Sequence, residues 1–149
     1  MHRMNNSFFL VPLGILLGLG GFAALWFVVM KMLALPGWQW LAQYQDPRPP
    51  GGPRIWLGRA TLGGIHYKNV ISASIQAEGL ALKPLFLFRI GHAPLLIPWS
   101  AMSPMRTRQV FWSTMYTTDI RTDAKGSVPF SFVSDELATA LRSRLGTAD

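Results

Sequence analysis

"GLALKPLFLFRIGHAPLLIPWSAM", residues 79–102, is the most apolar stretch of the chain outside its N-terminus. It is either a second membrane-crossing helix or part of a folded core, and the choice decides the architecture. A spanning helix needs about 18 or more unbroken apolar residues, yet Lys83, Pro84, Arg89, Gly91, His92, Pro94 and Pro98 all fall inside the stretch. Proline in a helix interior removes a hydrogen bond and clashes with the preceding turn, so this segment does not cross a membrane. It reads instead as two short strands, "LFLFRI" and "PLLIPW", joined by the turn "GHAP" and lying in the core or under a covering element.

The N-terminus reads differently. From Asn5 to Met30 no side chain is charged, and the run "FFLVPLGILLGLGGFAALWFVVM" continues past Lys31 to Leu35. At about 1.5 Å per residue, roughly 20 apolar residues cover the hydrocarbon layer, so residues 1–36 read as a transmembrane anchor. Pro12 is placed near the first turn, where a missing N–H costs little, and Pro36-Gly37 stops the helix. A cleaved signal sequence would carry a shorter apolar region followed by a small-residue cleavage site, and neither fits this run. Arg3 precedes the segment, whereas Lys31, Arg48, Arg54 and Arg59 follow it, which places the body of the protein on the cytoplasmic side. Trp38, Trp40 and Tyr44 then form an interfacial belt at headgroup level, or else Trp38, Leu41 and Tyr44, at helical spacing, begin the body's core. Gly14 and Gly18 form a GxxxG, and Gly20 and Ala24 repeat the spacing, which lets a second helix approach and would allow a homo-oligomer.

The whole chain has 149 residues, half of them apolar and only 14% charged, with a net charge of +7 and no cysteine. That length holds one core plus an appendage. The absence of cysteine excludes disulfides, thiolate metal sites and a cysteine nucleophile. "QDPRPPGGPR", residues 45–54, is too rich in proline and glycine for helix or central strand, so residues 37–53 read as a juxtamembrane linker and 54–149 as the domain. Within it, Ile55 and Leu57 belong to a first strand that turns at "LGG", residues 62–64. "HYKNVISASIQAE" alternates, with Tyr67, Ile71, Ala73 and Ile75 on one face and His66, Lys68, Ser72 and Ser74 on the other, the period of a half-buried strand. "RTRQVFWSTMYTTDIRTD" is a strand or hairpin whose turn is not fixed by the pattern. Val128, Phe130 and Phe132 form a last strand in which Pro129 marks an edge. Ser134 caps a final helix with Asp135 and Glu136 in its first turn, Leu137, Leu141 and Leu145 on one face, and Gly146 at its end.

Several antiparallel strands followed by one terminal helix predict a small bent sheet or open barrel. This order resembles the pleckstrin-homology-like superfold, including its bacterial and GRAM-like members. In that group a "GL-x-L" strand is followed by an "IPW/IPY-S-x-I" strand; Gly79-Leu80 and Ile97-Pro98-Trp99-Ser100 match, with Met102 where a branched aliphatic is usual. The resemblance covers about residues 54–146. It implies one N-terminal transmembrane α-helix plus a mainly-β pleckstrin-homology-like open barrel with a C-terminal α-helix, at a bacterial inner (cytoplasmic) membrane. The basic phosphoinositide motif of eukaryotic relatives is not clearly present, so no catalytic or lipid-contacting residue carries over.

Candidate site residues are few. His66 and His92 have no carboxylate or second histidine at ligand spacing, and no nucleophile elbow, zincin or P-loop motif occurs, so an enzyme, a metal site and a cofactor are not expected. Arg106 and Arg108, with Arg89 and the aromatics Phe111, Trp112 and Tyr116, form the densest basic-aromatic grouping. On a strand, 106 and 108 share a face and present two guanidiniums to a phosphate or to a partner's carboxylates, or else form part of a solvated face. The expected function is a single-pass adaptor or assembly subunit that offers a sheet edge or groove to a membrane or cytoplasmic protein. The alternative is a module reading anionic membrane lipid. Nucleic acid is not an expected partner, because the basic residues are dispersed.

Overall fold

The structure, a computed structural model, describes residues 6–34 and 37–147; Arg3, Leu35 and Pro36, named above, lie outside them. Helix α1, Ser7–Ala34, is followed by a 3-10 segment, Gln39–Tyr44. Seven strands come next: β1 Ile55–Leu62, β2 Ile65–Ile75, β3 Gly79–Pro84, β4 Leu95–Pro98, β5 Arg106–Val110, β6 Ser113–Thr122 and β7 Gly126–Phe132. Helix α2, Asp135–Leu145, ends the fold.

Residues Ser7–Met32 of α1 are long and apolar enough to cross a membrane. Of its described side chains only Met30 is buried, so no protein core accounts for the apolar surface. Pro12 lies in the second turn rather than the first and removes one hydrogen bond, to the carbonyl of Phe8.

The seven strands form one antiparallel sheet in the order β4-β3-β2-β1-β7-β6-β5. The sheet does not close on itself, which makes it an open barrel. Its inner face supplies the core, built on Leu57, Leu62, Ile71, Leu80, Ile97 and Phe130. Helix α2 adds Leu137, Ala138 and Leu141 to that core; the Ser134 hydroxyl accepts from the Leu137 N–H, and Gly146, at φ +73°, terminates the helix. Opposite Gly58 the β1–β2 register shifts, and Asn69 takes a left-handed φ of +55°, a conformation asparagine tolerates better than most residues.

Four expectations are corrected. "LFLFRI" is not a strand: β3 is Gly79–Pro84, and Phe86–Phe88 form a 3-10 turn with no buried residue. Its apolar partner is α1, where the Phe88 ring lies 6.2 Å from that of Trp26. Residues 37–53 are not a free linker either, because Trp38 and Leu41 are fully enclosed in the core and the Trp38 indole donates to the Ala93 carbonyl at 2.8 Å. Even "QDPRPPGGPR" is seated, with Asp46 N–H bonded to the Pro94 carbonyl and the Ser74 hydroxyl to that of Pro53; Ser72 and Ser74 are both buried on the face that alternation assigns to solvent, the Ser72 hydroxyl donating to the Lys83 carbonyl of β3. Finally, β7 is interior, not an edge. Pro129 fits there because its carbonyl accepts from Gly63 just past the end of β1. In a strand, a residue's nitrogen points to the same side as its carbonyl, so the missing N–H faces Gly63 beyond the end of β1, where it costs only the return bond, and the ladder with β6 stays whole.

Candidate functional site

Phe111 and Trp112 join β5 to β6, and their side chains are 90% and 97% exposed. Val110 pairs with Ser113 across this two-residue turn, and φ is +54° at Phe111. Positive φ at the first turn position alone is the type II′ pattern, a place glycine normally fills. A bulky residue there holds a strained backbone. The two rings stack on each other at 6.0 Å and contribute nothing to the core, so packing gives no account of two large aromatics at this tip.

Beside the tip, on the outer face of the sheet, lies a groove of about 570 Å³ whose wall includes Arg59, His66, Lys68 and Met115, with no acidic side chain in its lining. The register puts Arg59 directly opposite Lys68, a like-charge cross-strand pair that by itself costs stability. The Thr61 hydroxyl and the His66 ring nitrogen sit 2.9 Å apart across the same two strands. β5 completes the surface. It pairs with β6 only, and among the described residues the outward backbone groups of 106–110 have no partner. The opposite edge, β4, is covered by the bridge between Gln45 and Leu95. An uncovered edge strand is a template for another chain.

Arg106 and Arg108 do share a face of β5, opposite Thr117 and Met115. Arg106 is held by the Asp119 carboxylate at 2.7 Å. Arg89 is not with them: it closes the 3-10 turn of the β3–β4 loop, between the two strands at the other end of the sheet order. There burial, then the charges of Arg54 and Arg89, lower the pKa of Lys83. Tyr116 turns inward and donates to Asp135 at 2.6 Å.

The interfacial assignment of Trp38 is corrected, since an indole with no exposed surface does not meet headgroups. Trp40 and Tyr44 are half-buried and pack on the same core; the Tyr44 hydroxyl donates to the Arg121 carbonyl at 2.6 Å. Gly14 and Gly18 open onto empty space. His92 is buried, its ring 5.3 Å from Trp38 and 5.8 Å from Tyr67. Its Nε2 is 3.3 Å from the Tyr67 hydroxyl. Burial lowers the His92 pKa and pushes that of Tyr67 up to about 12, so both rings are neutral at pH 7.

The tip residues were named in the sequence only as neighbours of the arginines. "QVFWST" carries no glycine, asparagine or proline to mark a turn; the signal was the reverse, two bulky residues between short alternating polar runs. No family model, curated protein or solved structure matches the chain.

Proposed function

We propose that this chain is a single-pass membrane adaptor whose pleckstrin-homology-like open barrel, on the cytoplasmic side of a bacterial inner membrane, docks a protein partner at the β5 edge and the Phe111-Trp112 tip. One observation carries the reading: two adjacent aromatic rings are almost wholly exposed at a strained turn that glycine would relax. They stand at the end of an uncovered strand edge, so a partner segment adding to β5 gains backbone hydrogen bonds and buries both rings together. Arg108, Arg59 and Lys68 select a segment with acidic residues beside its apolar ones. Seven antiparallel strands ending in one helix support the superfold resemblance. The lack of any carboxylate beside His92 or His66 among the described contacts favours binding over catalysis.

The test is purification of the full chain in mild detergent, with identification of co-eluting proteins for the parent and for the Phe111→Ser/Trp112→Ser variant. The reading expects a specific partner that the variant loses. A partner retained undiminished by the variant overturns the tip as its site.

A further inference from the structure

Among the described residues outside α1, seven large apolar side chains are exposed: Trp56, Leu85, Phe86, Leu87, Ile90, Phe111 and Trp112. Four of them sit within residues 85–90 of the β3–β4 loop, with Phe86 and Leu87 at 74% and 59%. This loop has no acid, and its charged neighbours are Arg89, Lys83 and Arg54, with the charges of Arg54 and Arg89 close enough to act on Lys83. Its position relative to α1 is fixed by the ring contact between Phe88 and Trp26 and by the Gln39 amide, which donates to the Gly91 carbonyl at 2.9 Å.

That contact measures depth. Lys31 is the first charged residue after Arg3 and stands one residue before the end of the apolar span at Met32, so it marks where α1 reaches headgroups. Trp26 lies five residues earlier, about 7 Å further along the helix axis, and helix side chains lean toward the N-terminus, which takes its ring deeper. A loop that touches Trp26 is therefore beside the apolar part of α1, below the level of Lys31.

We infer that the β3–β4 loop is a second membrane contact: Phe86 and Leu87 enter the hydrocarbon layer beside α1, while Arg89, Lys83 and Arg54 meet lipid phosphates above them. The inference rests on the reading of α1 as a membrane span. It gives "LFLFRI", too broken to cross a membrane and absent from the core, a solvent that suits it. Short apolar wedges flanked by cations are the chemistry of interfacial anchoring.

The chain has no cysteine, so single labels are unambiguous. The full chain is reconstituted in vesicles of phosphatidylcholine and phosphatidylglycerol with a polarity-sensitive fluorophore at Leu87→Cys, at Leu17→Cys within α1, or at the exposed Glu136→Cys on α2. Quenching by nitroxide lipid is compared with quenching by aqueous iodide. The expected result is that position 87 behaves like 17, with lipid quenching at least half as strong and iodide quenching several-fold below that at 136. If 87 follows 136 while 17 remains lipid-quenched, the loop contact is refuted and the span stands. If 17 is itself open to iodide, the span reading fails and the loop contact falls with it.

Discussion

Removing Trp38 tests whether the domain begins just after α1 rather than at residue 54. The side chain has no exposed surface, packs against Tyr67 and His92 with ring centroids 5.9 and 5.3 Å away, and donates to Ala93. Truncating a buried aromatic to alanine costs about 3–5 kcal/mol through lost transfer energy and the residual cavity. The orphaned Ala93 carbonyl adds about 1 kcal/mol or more unless water reaches it. In a 37–149 fragment the total, about 4–6 kcal/mol, is a large share of the roughly 5–15 kcal/mol that holds a domain together. With a urea slope of about 2 kcal/mol/M, Trp38→Ala lowers the unfolding midpoint by about 2–3 M, as followed by near-ultraviolet circular dichroism. A 54–149 fragment, which lacks both Trp38 and Leu41, does not fold cooperatively. A midpoint shift below about 0.5 M, or a sharp transition in 54–149, refutes the claim that the juxtamembrane segment belongs to the core.

Gly37→Ala is the backbone counterpart: at φ +81° a Cβ would overlap the Leu62 carbonyl, and left-handed strain alone costs about 1–2 kcal/mol, so thermal unfolding of the 37–149 fragment shows a loss of at least about 2 kcal/mol. For pH, His92 has a lowered pKa in the fold, so the unfolded chain binds more protons below about pH 6.5; stability is full above that value and falls as pH drops through it, a fall that His92→Gln reduces. Tyr67 is raised to about 12, so the fold keeps a proton that the unfolded chain sheds above about pH 10, and stability declines there in urea titrations. Phe111→Gly relieves a left-handed phenylalanine and forfeits almost no burial; relief of about 1–2 kcal/mol against about 0.5–1 kcal/mol of added chain entropy leaves stability unchanged or higher by up to about 1 kcal/mol, and a clear drop argues that the turn is not strained.

Periodicity made β2, β7 and α2 legible, because each buries one face in a regular rhythm: Ile71 and Ala73, Val128 to Phe132, Leu137 and Leu141. It failed at "LFLFRI", where hydrophobicity alone does not say which apolar phase a side chain meets, core or helix α1. It failed again at Ser74, whose hydroxyl bonds to the Pro53 carbonyl of a non-repetitive segment well before β2 in the chain, a long-range contact with no local signature. Pro129 was misassigned because the rule against proline concerns one nitrogen, not a whole strand, and β1 stops one residue short of needing it. At the candidate site the shared face of Arg106 and Arg108 followed from the two-residue repeat, whereas the tip did not, since "FW" violates the turn chemistry by which hairpins are found.

If the chain is the membrane adaptor proposed above, the junction between α1 and the barrel sets how it works. Only residues 35 and 36 separate the end of α1 from Gly37, whose backbone lies against Leu62 and Gly63. Trp38 and Gln39 then bond to the stretch that ends the β3–β4 loop, and Phe88 of that loop touches Trp26. A flexible tether would raise the local concentration of the domain while averaging its orientation. Contacts on both sides of the junction remove that freedom, so with α1 across a bilayer the β5 edge stands at one height and one angle. On the adaptor reading proposed above, a partner confined to the same membrane would meet the Phe111-Trp112 tip already aligned, and part of the orientational cost of association would be met when the domain folds rather than when it binds.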